Sequence, residues 1–221
     1  MNKFCLSALF ILPLLMSCTT DPDDDDDDSW DAAKVCPETG TNTYGMPNRG
    51  TFTDERDGQV YKYTTIGKQV WMAENLNFDC EHSYCYYEDD TCQSLGRTYY
   101  PEHLDVCPAG WHVPTDEEWQ QLFGVFENPS HAAKSLKAEY SWTELNSGEN
   151  PNGTDECGFS IVFAKNNQDG SGYESGFMTS SITSNYEYRM RIYTFLSYGD
   201  GIRIADYASS HSSQYIRCLK D

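Results

Sequence analysis

Apolar positions along this chain form one unbroken block at the start, then a long polar gap, then short groups whose spacing changes from alternating to helical and back. The opening block, Phe4 to Met16, is about 13 residues, roughly 20 Å as a helix, and falls short of a hydrocarbon core of about 30 Å. Beyond it, Val60, Tyr61, Tyr63 and Ile66 precede Gly67-Lys68, and Val70, Trp71 and Met72 follow, which predicts two strands joined by a tight turn. Thr115-Asp-Glu-Glu118 has the form of a capping box, and Trp119, Leu122, Phe123 and Phe126 then recur on one helical face. Together they predict a helix over Asp116 to Phe126. Asn128-Pro129 repeats the start signal, and Ala132, Ala133 and Leu136 continue a second short helix. Strands are expected at Phe159–Ala164, Ser175–Ser181, Arg189–Ser197, Gly201–Tyr207 and Gln214–Leu219, with Gly199-Asp200-Gly201 as a hairpin turn. Strands, then helices, then strands give an α+β class with a mixed, mainly antiparallel sheet, two short helices and long loops. Three stretches carry no period: residues 29–50, a linker or loose collar; Phe78–Leu95, a cysteine-rich loop; and residues 142–157, a long polar loop.

The short apolar block reads as a signal peptide over residues 1–17, with Lys3 before it and Ser17 directly ahead of Cys18. Leu15-Met16-Ser17-Cys18 resembles a bacterial lipobox, which implies lipidation of Cys18 and attachment to a membrane through the acyl chains. An ordinary secretory cut would instead leave Cys18 a bare thiol. Asp21 and the run Asp23 to Asp28 repel one another and contain nothing apolar, so an extended acidic spacer follows the anchor. Such runs resemble sorting signals for the outer face of the outer membrane; a plain solvated stalk and a calcium-binding strip are the other readings.

Charge and cysteine count narrow the function. The formal charge is −20, and setting aside the seven spacer aspartates and Lys3 leaves −14. No basic surface is available to neutralise phosphates, so nucleic acid and anionic membrane surfaces are excluded as partners. With 16 Tyr and 5 Trp, the domain takes its bulk from aromatics, which suits both small β-rich cores and sugar-stacking surfaces. Of nine cysteines, seven lie beyond Cys5 and Cys18, and an exported chain makes disulfides the default reading. Cys85 and Cys92 close a local loop of about eight residues, worth roughly 2.5 kcal/mol in the chain-entropy model. Cys36, Cys80 and Cys157 have no partner assigned by spacing, and an odd count leaves one thiol free or paired to another chain. No histidines stand at zinc-finger intervals from Cys80, Cys85 and Cys92, so no zinc site is expected.

Candidate chemistry is sparse. Glu149, Asn150, Asn152 and Asp155 place hard oxygen ligands in one loop, a calcium candidate against a plain polar turn. The carboxylates of the first helix are better explained as capping and dipole partners than as catalysts. Ser209 to Ser213 around His211 reads as a polar loop, and no pattern for a catalytic dyad or triad stands out; no enzyme is expected, and no cofactor beyond that calcium.

Five segments in order carry a family resemblance: Asp57 to Lys62, Gly67 to Asn77, Cys107 to Thr115, Gly153 to Ser160, and Arg217 to Asp221. They resemble the Fibrobacter succinogenes major paralogous domain, a family of exported bacterial proteins, often lipoproteins, similar in element order to C-type-lectin-like and formylglycine-generating-enzyme-like folds. The resemblance implies a domain over residues 57–221 behind a lipidated and acidic segment over residues 18–56. It also implies that the first and last strands lie together and that Cys107 pairs with Cys218. That bond would close about 112 residues for roughly 5 kcal/mol. The expected function is a non-catalytic, surface-exposed recognition module for polysaccharide or a surface protein. The rival is a structural or envelope-assembly protein.

Overall fold

The expected hairpin is present in the computed structural model, which describes residues 30–85, 89–101, 104–142, 150–163, 174–184, 189–197, 201–208 and 213–221. Strands β2 (Val60–Ile66) and β3 (Gln69–Met72) pair antiparallel from Ile66↔Gln69 to Tyr63↔Met72. Gly67 turns between them at φ +58°, a left-handed conformation that costs glycine little.

On the outer side of β2 runs a strand that periodicity does not predict. Strand β1 (Arg49–Thr53) follows the short helix α1 (Ala32–Val35) and pairs with β2 from Arg49↔Thr64 to Thr53↔Val60. Of the stretch expected as a linker or loose collar, the described part from residue 30 forms a collar that packs on the body together with residues 51–56. Trp30 Nε1 donates to Val125 O at 3.0 Å, and Cys36, 1% exposed, is bonded to Cys157. The apolar anchors here, Trp30, Val35, Met46 and Phe52, are too widely spaced to form a period. They dock one at a time onto surfaces made elsewhere.

The C-terminal strand β11 (Leu219–Lys220) lies against β3 and, on its other side, against β6 (Trp111–His112). The first sheet therefore runs β1-β2-β3-β11-β6. The second runs β4 (Ser83–Tyr84), β5 (Thr98–Tyr99), β10 (Gln214–Tyr215), β7 (Glu174–Ser184), β8 (Arg189–Leu196), β9 (Ile202–Ala208), antiparallel except where β10 meets β7. The class is α+β with mainly antiparallel sheets, as the element order implies. One expected strand, Gln214–Leu219, is split between the two sheets. Tyr215, Ile216, Arg217, Cys218 and Leu219 are all buried, which no strand with one solvated face accommodates, and the chain uses them to cross from one sheet to the other. Another expected strand, Phe159–Ala164, reduces to a bridge between Ile161 and Lys137, because Ser160 at φ +54° bends the chain; Ala164 lies outside the described residues.

Helix α3 (Asp116–Phe123) starts on the predicted capping box. Thr115 Oγ1 accepts from Glu118 N at 3.2 Å, and Glu118 Oε2 accepts from Thr115 N at 2.8 Å. It stops at Gly124, three residues before the expected end, yet Phe126 is still buried. Helix α4 (Pro129–Leu136) is capped by Asn128 Oδ1, which accepts from His131 N. A further helix, α2 (Asp89–Leu95), occupies part of the expected cysteine-rich loop. Between sheets and helices, Trp119 is fully buried among Trp71, Tyr193 and Phe177, with ring centroids at 4.9, 5.4 and 5.7 Å. Side chains of this kind each contribute about 1.5–3 kcal/mol on burial, so this cluster anchors the helices to both sheets.

Candidate functional site

The cysteines set the frame. Cys107 is bonded to Cys218 and Cys85 to Cys92, the pairs expected from the resemblance and from spacing. The third bond, Cys36–Cys157, was not legible in the spacing and ties the N-terminal collar to the loop before Phe159. Cys80 remains a free, half-buried thiol. Cys18 and Glu149 lie outside the described residues, as do the central residues of the Ser209–Ser213 loop.

The remaining calcium candidates spend their oxygens on their own loop. Asn150 Oδ1 accepts from Asn152 N at 3.1 Å, and Asn152 Oδ1 from Trp142 N at 3.0 Å. Asp155 accepts from Ser160 N at 2.7 Å and from Ser160 Oγ at 2.5 Å, and burial raises its carboxyl above the ordinary range. Among the described residues, no three His, Cys, Asp or Glu side chains come together as a metal site.

His112 shows why the carboxylates of α3 attract attention and what they do. Its Nδ1 meets Asp221 Oδ1 at 2.7 Å and its Nε2 meets Glu118 Oε1 at 3.0 Å. Both ring nitrogens face carboxylates, so the trio clasps the C-terminal residue to the start of α3 and leaves no ring nitrogen to activate a nucleophile.

The surface feature best suited to a ligand is a cleft of about 510 Å³ where β1 and its following turn meet β6 and β11. Phe52 and Trp111 stack in it, centroids 4.4 Å apart and planes 19° apart. Lys220 Nζ stands 5.8 Å from the Trp111 ring and 5.5 Å from Tyr44, and donates to Gly110 O at 2.7 Å. Across the cleft, Asp54 accepts from Arg56 through both oxygens, Oδ1 from Nε at 2.9 Å and Oδ2 from Nη2 at 2.6 Å. Burial alone would raise the Asp54 carboxyl, but its hydrogen bonds and charge pairing with Arg56 outweigh that and hold it below the ordinary value. Arg56 in turn lies 3.8 Å over the Phe78 ring. An apolar floor with a few fixed polar groups is the usual composition of a small-molecule or sugar site. Sequence reasoning missed Phe52, Asp54 and Arg56 because β1 and the turn after it have no period; the signal at hand was the aromatic Trp111 inside a block that carries the family resemblance.

The chain leaving the β1–β2 turn lines a second, smaller cleft of about 160 Å³. Gln59 Nε2 donates to Asp57 Oδ2 at 2.6 Å and to Asn77 O at 2.9 Å, while Gln59 Oε1 accepts from Asn77 Nδ2 at 3.0 Å. Asn75 Oδ1 accepts from Arg217 Nε at 2.6 Å, and Asn75 Nδ2 donates to Leu95 O at 2.7 Å. Arg217, 1% exposed, also donates to the carbonyls of Met72, Phe159 and Ser160, and burial lowers its guanidinium to about 9. Gly96 closes the wall at φ +76°; a Cβ there would stand 2.7 Å from Asn75 Cβ. A third cleft, about 340 Å³, contains Phe78, Cys80, His82 and Leu104.

Neither a curated protein nor a solved structure matches the chain. The family described as the Fibrobacter succinogenes major domain matches residues 64–220, which include β3, both eight-residue helices, the crossing segment at Arg217, most residues of the smaller cleft and, at the larger one, Pro108, Ala109, Trp111 and Lys220. That match spans well over half of the 221 residues, and the chain belongs to the Fibrobacter succinogenes major domain family.

Proposed function

We propose that this protein is an exported lipoprotein, held in the outer membrane through Cys18 and exposed at the cell surface, whose domain recognises a polysaccharide or another surface ligand without catalysing a reaction. The observation that carries the recognition role is the Phe52–Trp111 cleft: stacked rings beside Lys220 and an Asp54–Arg56 pair combine a face for sugar C–H groups with fixed polar groups for hydroxyls. Three disulfides suit an oxidising compartment, and the apolar block ending in Ser17-Cys18 supplies a route there. The kinship in element order to C-type-lectin-like and formylglycine-generating-enzyme-like folds belongs to this reading, and fold analogy by itself does not assign a ligand.

A glycan array probed with the full chain tests recognition. Reproducible binding that Phe52→Ala abolishes supports it. Silence across the array, together with a protein captured in a pull-down, supports an envelope-assembly role. The address has its own test, since Cys18→Ala is expected to move the protein from the membrane fraction to the soluble one. Continued sedimentation with membranes would rule out the acyl anchor.

A further inference from the structure

We propose that strand β9 is the surface on which a second copy of this chain docks, the two copies joining edge to edge about a two-fold axis that passes beside Ile204. This pairing does not depend on the recognition reading.

β9 is the last strand of the second sheet and pairs with β8 in unbroken register, from Phe195↔Ile202 to Arg189↔Ala208. The phase of that ladder decides which groups are left over. Leu196 N donates to Gly201 O at 3.3 Å, so this pair and every second one after it, Thr194↔Arg203 and Ile192↔Ala205, exchange the hydrogen bonds. The N–H and C=O groups of Ile202, Ile204 and Asp206 therefore point away from β8, and among the described residues none pairs with them. Edge strands are commonly blunted by a proline, a lysine or a bulge, and Ile202–Ala208 contains none of these. It presents instead Ile204, 53% exposed.

Two features select a second copy as the occupant. The edge is electrically neutral in a chain of formal charge −20, because Arg203 Nη2 meets Glu174 Oε2 at 2.6 Å and Arg191 Nε meets Asp206 Oδ1 at 2.7 Å. An antiparallel two-fold at Ile204 also sets that side chain against its own copy, and Ile202 opposite the second copy's Asp206, with no like charges opposed. A foreign peptide needs pockets that read its side chains, and none of the three clefts is lined by β9. At the other edge of the sheet β4 is two residues long, so pairing at β9 closes a dimer and does not propagate.

The test follows sedimentation and amide hydrogen exchange of the full chain carrying Cys18→Ala, from about 10 µM to about 1 mM. Concentration-dependent dimerisation is expected. The amides of Ile202, Ile204 and Asp206 should gain protection as it proceeds, while those of Arg203 and Ala205 are protected throughout. Ile204→Pro removes an outward N–H, leaves the β8 ladder whole and should weaken the dimer about tenfold or more. Ile204→Lys, which brings two ammonium groups together at the axis, covers the case in which proline disturbs the strand and should weaken it comparably. A chain that stays monomeric at the top of the range overturns the proposal. So do outward amides that exchange alike at both ends of it, or a dimer retained by either variant in its folded form.

Discussion

The N-terminal collar and the aromatic core are held by different physics. Around Trp119, rings from helices and both sheets bury one another in a single cluster. Residues 30–56 contribute single anchors instead: Trp30 at the α3–α4 corner, Cys36 through its bond, and β1 along one edge. The contrast matters for function because the aromatic cleft lies at their junction, with Phe52 and Asp54 from the collar facing Trp111 and Lys220 from the body. A cross-linked margin brings one half of the ligand surface to the core.

Breaking the collar's link is the strongest challenge to this picture. Replacing Cys36 and Cys157 together by alanine is expected to cost about 5 kcal/mol in the chain-entropy model, with hydrogen-exchange protection lost first at Arg49–Thr53. If β1 stays protected, the collar stands on its packing alone. Trp119→Ala should cost about 3–5 kcal/mol and lower protection across both sheets together, measured by denaturant unfolding. Loss confined to α3 would mean the core is less unified than its ring contacts imply. Removing Cys85–Cys92 is expected to cost about 2.5 kcal/mol, because its loop is short, and to leave the aromatic cleft untouched. Thr115→Ala should cost about 1 kcal/mol through the lost cap of α3.

The smallest effect is electrostatic and belongs to the junction. Asp54 has its carboxyl lowered in the folded state, so its pairing with Arg56 contributes fully above the unfolded carboxylate value of about 4 and is lost as the pH falls through the depressed one. Acid unfolding followed in the parent and in Arg56→Ala should show the parent's advantage disappear in that window. An advantage unchanged down to the lowest pH would remove Asp54 from the account.

Residues whose partners are near in sequence were readable. Thr115 and Glu118 are three apart, Gly67 sits at its own turn, and Cys85 is seven from Cys92, so local geometry fixes each. Helix α2 was not readable, since Asp89 to Leu95 has few apolar residues and no period. The polar loop at Asn150 to Asp155 suggested calcium by composition, whereas three-dimensional placement directs Asn150, Asn152 and Asp155 oxygens at Asn152 N, Trp142 N and Ser160.

By itself the sequence determined the class, the two main helices, the central hairpin and the acidic, cysteine-rich character, because period, caps and charge are properties of neighbours along the chain. Only the tertiary structure decided that Cys36 reaches Cys157, that the segment around Arg217 crosses between sheets, and that Phe52 stacks on Trp111. Those pairings join residues tens of positions apart, where the free energy of burial, not local propensity, selects the partner.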